Sequence, residues 1–325
     1  MYFQTLLVHT LLFHLALAAV RTSPPAGALT VGPSGTYKTI SAAVAVASKG
    51  DSIFIYAGTY NEAVYVKVDG ITIYGATNNT LSYEANTVVI TSDGSKATLG
   101  SDDASGTLRV LANSFNLYNV KVVNTYGIGS QALALSASGT EQGFYASSFV
   151  AYQDTVYTNT GSQYFGASYI EGAVDFIFGR SAATYIKKST IASNAPGNIT
   201  ASGALDLDTG IYVFDSCTIE AAATATSSLV GEVYLGRPWA EYARVVFLSS
   251  SLSSIINPLG WNEWSAATPN LADITFAEYN NTGAGSVTSQ RVSFSEVLSS
   301  SEATSYSISK ILGTSYTSWV DADYL

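Results

Sequence analysis

The sequence predicts an all-β protein: a single-stranded, right-handed parallel β-helix, or β-solenoid, with short capping helices. Three observations lead there. The middle of the chain is a succession of short β-branched and aromatic runs separated by Gly, Asn, Asp and Ser, without a long 3.6-residue periodicity. Several runs resemble one another: Phe144 to Val150, Tyr164 to Ile170 and Tyr185 to Ile191 share serines at Ser148, Ser168 and Ser189, spaced by 20 and 21 residues. Polar residues repeat in step with them, since Gln131 and Gln153 are 22 residues apart and Asp154 and Asp175 are 21 apart. A repeat of this length built from short strands is the mark of stacked coils, each pairing in parallel with the next. An antiparallel sandwich with accidental regularity is the alternative.

Along the chain, residues 1–19 read as a signal peptide: the apolar run Leu11, Leu12, Phe13, Leu15 and Leu17 closes on the small residues Ala16, Ala18 and Ala19. Secretion to the extracellular space is therefore expected. A linker is expected over 20–29 and one catalytic-size domain over 30–325. Ser34 to Lys49 reads as a short helix, with Ile40, Ala43, Val44, Val46 and Ala47 apolar, placed to cap the first coil. Gly58-Thr59-Tyr60 with Glu62 reads as a turn and packing feature of that coil. Helical stretches between Phe294 and Leu312 are expected to close the far end, because a solenoid's open ends need cover. The sequons at Asn78, Asn198 and Asn280 fit passage through a glycosylating pathway.

Composition then limits the chemistry. The 325 residues are 47% hydrophobic and carry 14 basic against 24 acidic side chains, which argues against a nucleic-acid partner. No further stretch of ~18 apolar residues provides a membrane span. A monomer is expected. Both histidines, His9 and His14, fall within the signal peptide, so the mature chain has no imidazole for a Ser-His-Asp or Cys-His site. The lone Cys217 has no disulfide partner and reads as a small buried residue; neither a zinc site nor any other metal or cofactor is expected. Ser101-Asp102-Asp103, the densest acidic run considered, reads as an exposed turn. What remains is carboxylates, hydroxyls, lysine and the backbone.

If Asp154 and Asp175 stack on successive coils, ~4.8 Å between strands brings them close enough that both cannot ionise freely. Such a pair divides into a protonated acid and an ionised base or nucleophile. An inactive polar stack is the alternative reading. A glycoside hydrolase would also use paired carboxylates, a lyase would need an acidic calcium cluster and a base, and a carbohydrate-binding solenoid would need neither aspartate.

Three stretches narrow this. Tyr152-Gln153-Asp154-Thr155-Val156-Tyr157, Gly172-Ala173-Val174-Asp175-Phe176-Ile177-Phe178-Gly179 and Leu235-Gly236-Arg237-Pro238-Trp239 resemble the signature segments of pectin methylesterases. Gly58 to Glu62 and Gln131 to Leu135 resemble two more, in the family's order from Val31 to Trp264, and the chain is closest to the compact microbial or fungal form. The resemblance implies hydrolysis of methyl esters on polygalacturonate, with pectin as partner, plant cell wall as setting and no cofactor. It implies Asp175 as nucleophile, Asp154 as acid and then base, Gln131 and Gln153 as oxyanion donors, and Arg237 as the group that orients Asp175. Trp239 and Trp261 are expected to line the cleft, with Tyr157 and Phe178 flanking it on the coils of the two aspartates. Trp264 and Trp319 carry no assigned role.

Overall fold

A computed structural model describes residues 18–325. Most of the expected signal peptide, and both histidines, lie outside the described residues.

The chain winds into a parallel β-helix. Each coil contributes strands to three faces, and every named strand pair is parallel. One face runs through Val64–Val66, Leu108–Val110, the first part of Leu135–Tyr145, the first part of Val156–Gly166, Ile177–Gly179, Gly197–Ser202 and Val233–Pro238. The two 11-residue strands bend at register irregularities and continue into the second face, joining both faces into one sheet. The third face is a separate eight-stranded sheet from Gly58–Asn61 to Ser251–Leu252.

The core is made of rows, because in-register stacking places equivalent inward side chains over one another. Ile90, Val122, Phe149, Ile170, Ile191, Ile219 and Leu252 form one such row, all fully buried. Phe144 stacks on Phe165 at 4.7 Å, and Phe214 on Phe247 at 4.3 Å.

The serine spacing in the sequence marks a real ladder, shifted by one residue. Ser148 pairs with Tyr169, while the aligned corner residues are Ser147, Ser168 and Ser189. The backbone N–H of Ser147 donates to Ser168 Oγ, and that of Ser168 to Ser189 Oγ. Two coils on, the N–H of Cys217 donates to Ser250 Oγ, so the lone, buried cysteine occupies a ladder position. The serine hydroxyls satisfy corner N–H groups that no strand reaches. The residues just before the ladder, Ala146, Ala167, Lys188, Ser216 and Ser249, all take left-handed φ between 44° and 57°. That turn costs each coil strain of order 1 kcal/mol, which the stacked neighbours hold in place.

The first coil is covered by the helix Ile40–Val46, which buries Ile40, Ala43 and Val44. Glu62 accepts hydrogen bonds from the N–H groups of Ile40 and Ser41 at its start, which makes Glu62 part of first-coil packing. The C-terminal expectation needs correction. Glu296–Val297 forms the last rung, and the short helices Ser300–Ala303 and Ile308–Ile311 then turn back along the flank. Leu312, Val320 and Tyr324 bury against Tyr118, Tyr145 and Tyr164 on the outside of the second face. The tyrosine row there is apolar surface that solvent would otherwise meet, so the tail covers a side and not only an end.

Candidate active site

Outward residues on the first face also form a row, one per coil: Tyr65, Arg109, Ser136, Tyr157, Phe178, Ala201 and Arg237. Over its later coils lies a cleft of about 280 Å³ lined by Lys96, Asp102, Gln131, Gln153, Asp154, Asp175, Phe178, Ala201, Arg237, Trp239 and Trp264.

The two aspartates enter this cleft at the corner before the face begins. Both take left-handed φ, 65° at Asp154 and 51° at Asp175, a conformation that Asp tolerates better than most residues. The N–H of Asp154 donates to Val174 O and that of Asp175 to Asn198 O, so successive coils stack the two corners. Gln153 bridges Val174 and the N–H of Ala132 donates to Gln153 O, which puts Gln131 and Gln153 on adjacent coils as their spacing predicted.

Arg237 reaches Asp175 through two parallel hydrogen bonds, Nε to Oδ1 at 2.9 Å and Nη2 to Oδ2 at 2.7 Å. Gly236 is required beside it, because a Cβ there would lie 1.9 Å from Thr200 Oγ1. Beyond the carboxylate, the guanidinium lies 4.4 Å from the ring centre of Trp264. Trp239 is held at 4.0 Å by Arg180 and leans on Phe178, and Gly203 leaves room for its ring. Phe178 stacks on Tyr157 at 4.5 Å.

The electrostatics separate the carboxyls. Asp154 and Asp175 are each 7% exposed. Burial pushes Asp154 up to about 8; the charges of Asp175 and Asp102 push the same way, against Lys96 and Arg237. Burial also leaves Asp175 raised, though the two Arg237 hydrogen bonds oppose it; among the described residues Asp154 has no such bond. Of the two carboxyls, Asp154 is the one without a hydrogen-bonded partner to favour its charged form, and Asp175 the one held in an ion pair.

Trp261 does not line the cleft. It is fully buried, stacked on Phe276 at 4.4 Å and edge-on to Phe247, because its bridge to Gly236 continues the strand ladder and turns the indole inward. Beside Trp239, the second tryptophan at the cleft is Trp264, three residues after Trp261, a residue with no role expected from the sequence. Asp102 is likewise part of the cleft wall and not merely an exposed turn, and Lys96 joins it there. Asn198 is 7% exposed and accepts a hydrogen bond from Asn262, so its sequon is closed off in this fold; Asn78 and Asn280 are exposed. Among the described residues, no group of three His, Cys, Asp or Glu side chains gathers to hold a metal ion.

Fold and cleft together define a class: parallel β-helix proteins with paired carboxylates set along one face. Comparison with known proteins makes the assignment specific. The profile of the family described as Pectinesterase matches residues 29–315. A pectinesterase of Aspergillus aculeatus is 45% identical, covering 95% of this chain and 96% of that protein, and pectinesterase A of Emericella nidulans is 44% identical over 94% and 91%. The crystal structure of pectin methylesterase from Aspergillus niger superimposes with a TM-score of 0.88 at 41% identity, over 94% of this chain and all of that one. The carrot enzyme gives 0.84 at 32% identity, over 93% and 98%. The chain belongs to the pectinesterase family, carboxylic ester hydrolases that remove methyl esters from pectin.

Proposed function

We propose that Asp175 is the nucleophile of this esterase and Asp154 its acid and base, acting on methylated polygalacturonate. The observation that carries the reading is the asymmetry of the pair: one buried carboxylate gripped by a guanidinium, its neighbour raised to about 8 and protonated near neutral pH.

An Asp175 oxygen attacks the ester carbonyl carbon, and the carbonyl electron pair moves onto oxygen. The side-chain amides of Gln131 and Gln153 are on adjacent coils at the same cleft and supply N–H donors to that oxyanion, a contribution of up to a few kcal/mol for each donor. As the tetrahedral intermediate collapses, the C–O bond to methanol breaks and Asp154 gives its proton to the leaving oxygen. The acyl group is left on Asp175 as an anhydride. Asp154, now ionised, takes a proton from water as the water attacks the acyl carbon, and Asp175 departs as the carboxylate that Arg237 stabilises. A carboxylate is a weak nucleophile, so positioning and electrostatics must lower most of the barrier.

Trp239 and Phe178 offer flat apolar surface for sugar rings, with Tyr157 stacked behind Phe178 and Trp264 backing Arg237. The apolar run within residues 1–19 supports secretion, with plant cell wall pectin as the setting, and a monomer suffices for the cleft described. One assay separates the ester-hydrolysis reading from glycoside hydrolysis and elimination: highly methylated pectin, with methanol, reducing ends and unsaturated products followed together. Methanol alone is the expected product. Reducing ends or unsaturated sugars rising in step with it would overturn the assignment of the cleft.

A further inference from the structure

We propose that the Lys96–Asp102 pair is a positioning device for the Asp154 proton: a fixed dipole in the cleft wall whose two ends set, in opposite directions, the pH above which the enzyme loses its acid. The inference rests on the reading of Asp154 as the proton donor.

The pair sits on an enlarged corner lobe, residues 93–106, that connects the strand Val88–Ser92 to Leu108–Val110 and is longer than the equivalent connections of later coils. A short helix, Lys96–Leu99, starts with a capping box between Ser95 and Thr98 and stops at Gly100 in a left-handed conformation. Asp102 and the following turn Asp103–Ser105 bring the chain back. The lobe is bolted to the site, since the N–H of Lys96 donates to Gln131 O at 2.8 Å and the N–H of Ala97 to Ser130 Oγ at 3.1 Å. On its other side Leu133 N–H donates to Ser105 Oγ, and the Asn124 amide donates to both Gly94 O and Ser105 O. Asp103 is tied to Arg109 and to Ser136 Oγ. A wall held at so many points presents its charges at fixed distances, as electrostatic preorganisation needs.

Both side chains line the same cleft as Asp154. Lys96 Nζ lies 3.1 Å from Asp102 Oδ2, and Lys96 is the more exposed partner, 45% against 24%. Asp102 Oδ1 is shut away from solvent and has no hydrogen-bond partner among the described residues. Lys96 is the countercharge on the Oδ2 side, and Asp102 and Asp154 face each other's field across the shared cleft. The charged groups acting on Asp154 are Asp175 on the next coil, Arg237 on Val233–Pro238, and the lobe's own Asp102 and Lys96. Asp175 and Arg237 are committed to each other, so the lobe pair is what can vary without dismantling the ion pair beneath the ester.

The test is the pH dependence of kcat/KM on a short, fully methylated and therefore uncharged oligogalacturonate, which removes any attraction between Lys96 and a substrate carboxylate. Asp102→Asn removes the negative end, so the alkaline limb should move to lower pH by roughly half a unit. Lys96→Gln should move it to higher pH, by less because the lysine is more exposed to screening. Thermal melting of each variant shows whether the lobe stays folded. Shifts of opposite sign support the device; limbs that stay put, or move together, overturn it and leave the pair a structural tie. Asp154→Asn is run beside them. If that variant keeps its alkaline limb and its rate, the reading of Asp154 fails first and the inference with it.

Discussion

At the scale of single residues, the environments of Asp154 and Asp175 predict different failures. With Asp175 as the proposed nucleophile, Asp175→Asn lacks the carboxylate that would form the acyl-enzyme, so it should be inactive toward every ester, whatever alcohol leaves. With Asp154 as the proposed acid, Asp154→Asn first loses the proton that would go to a poor leaving group such as methoxide. An ester of a more acidic alcohol needs less of that help and should acylate the variant appreciably faster than the methyl ester does. Deacylation still lacks its base, so the variant should release about one equivalent of alcohol in a burst and then slow. Pre-steady-state alcohol release from matched methyl and activated galacturonate esters, with mass analysis of the trapped protein, tests this. A burst from Asp175→Asn would reverse the assignment.

At the scale of elements, one strand and the loop after it separate two tryptophans three residues apart. Trp261 continues the parallel ladder beside Gly236 and faces the core, where it packs on Phe276 and Phe247. Trp264 lies beyond the ladder, faces the cleft and supports Arg237. Trp261→Ala should therefore destabilise the fold by about 3–5 kcal/mol while the folded fraction keeps a KM close to the parent's. Trp264→Ala should leave the unfolding midpoint nearly unchanged and lower kcat, because the Arg237 guanidinium loses the face it rests on. Denaturant titration and steady-state kinetics on both variants decide it; a large KM change in Trp261→Ala would restore a place for that residue at the substrate.

At the scale of the whole molecule, the buried carboxyl of the site makes the fold sensitive to rising pH. Asp154 is raised to about 8 in the folded chain, chiefly by burial, so between its ordinary value near 3.8 and that figure the folded state holds a proton that the unfolded state has released. Stability from this group is full below the unfolded value and is lost as pH rises toward 8. Asp215 works in the other direction. Burial alone would raise it, but Lys187 and the hydroxyls of Ser216 and Tyr185 hold it below its ordinary range, so its contribution is present above the unfolded value and fades in acid. Asp154→Asn should accordingly melt a few degrees above the parent at pH 8, with the two melting points converging toward pH 4. Equal differences at both pH values would mean that Asp154 is not carrying its proton into the neutral range.

By itself the sequence determined the solenoid, because stacking in register forces equivalent residues to recur at the coil length, and recurrence is visible in one dimension. The same logic exposed Gln131 with Gln153 and Asp154 with Asp175, whose spacing is the coil period. Arg237 came only through the resemblance of its segment, since nothing in the spacing links it to Asp175. The ladder residue was misplaced by one, Ser148 for Ser147, because two adjacent serines fit the period almost equally and only the corner hydrogen bonds choose between them. Tertiary structure alone decided what depends on direction rather than spacing. Trp261 turns in and Trp264 out according to where the strand ladder ends. The Lys96–Asp102 wall belongs to an enlarged corner connection that breaks the repeat length, brought to Gln131 by backbone hydrogen bonds that leave no trace in residue type. The C-terminal tail runs back over a tyrosine row because that row, scattered from Tyr118 to Tyr185 in the chain, becomes one continuous apolar surface only after the coils have stacked.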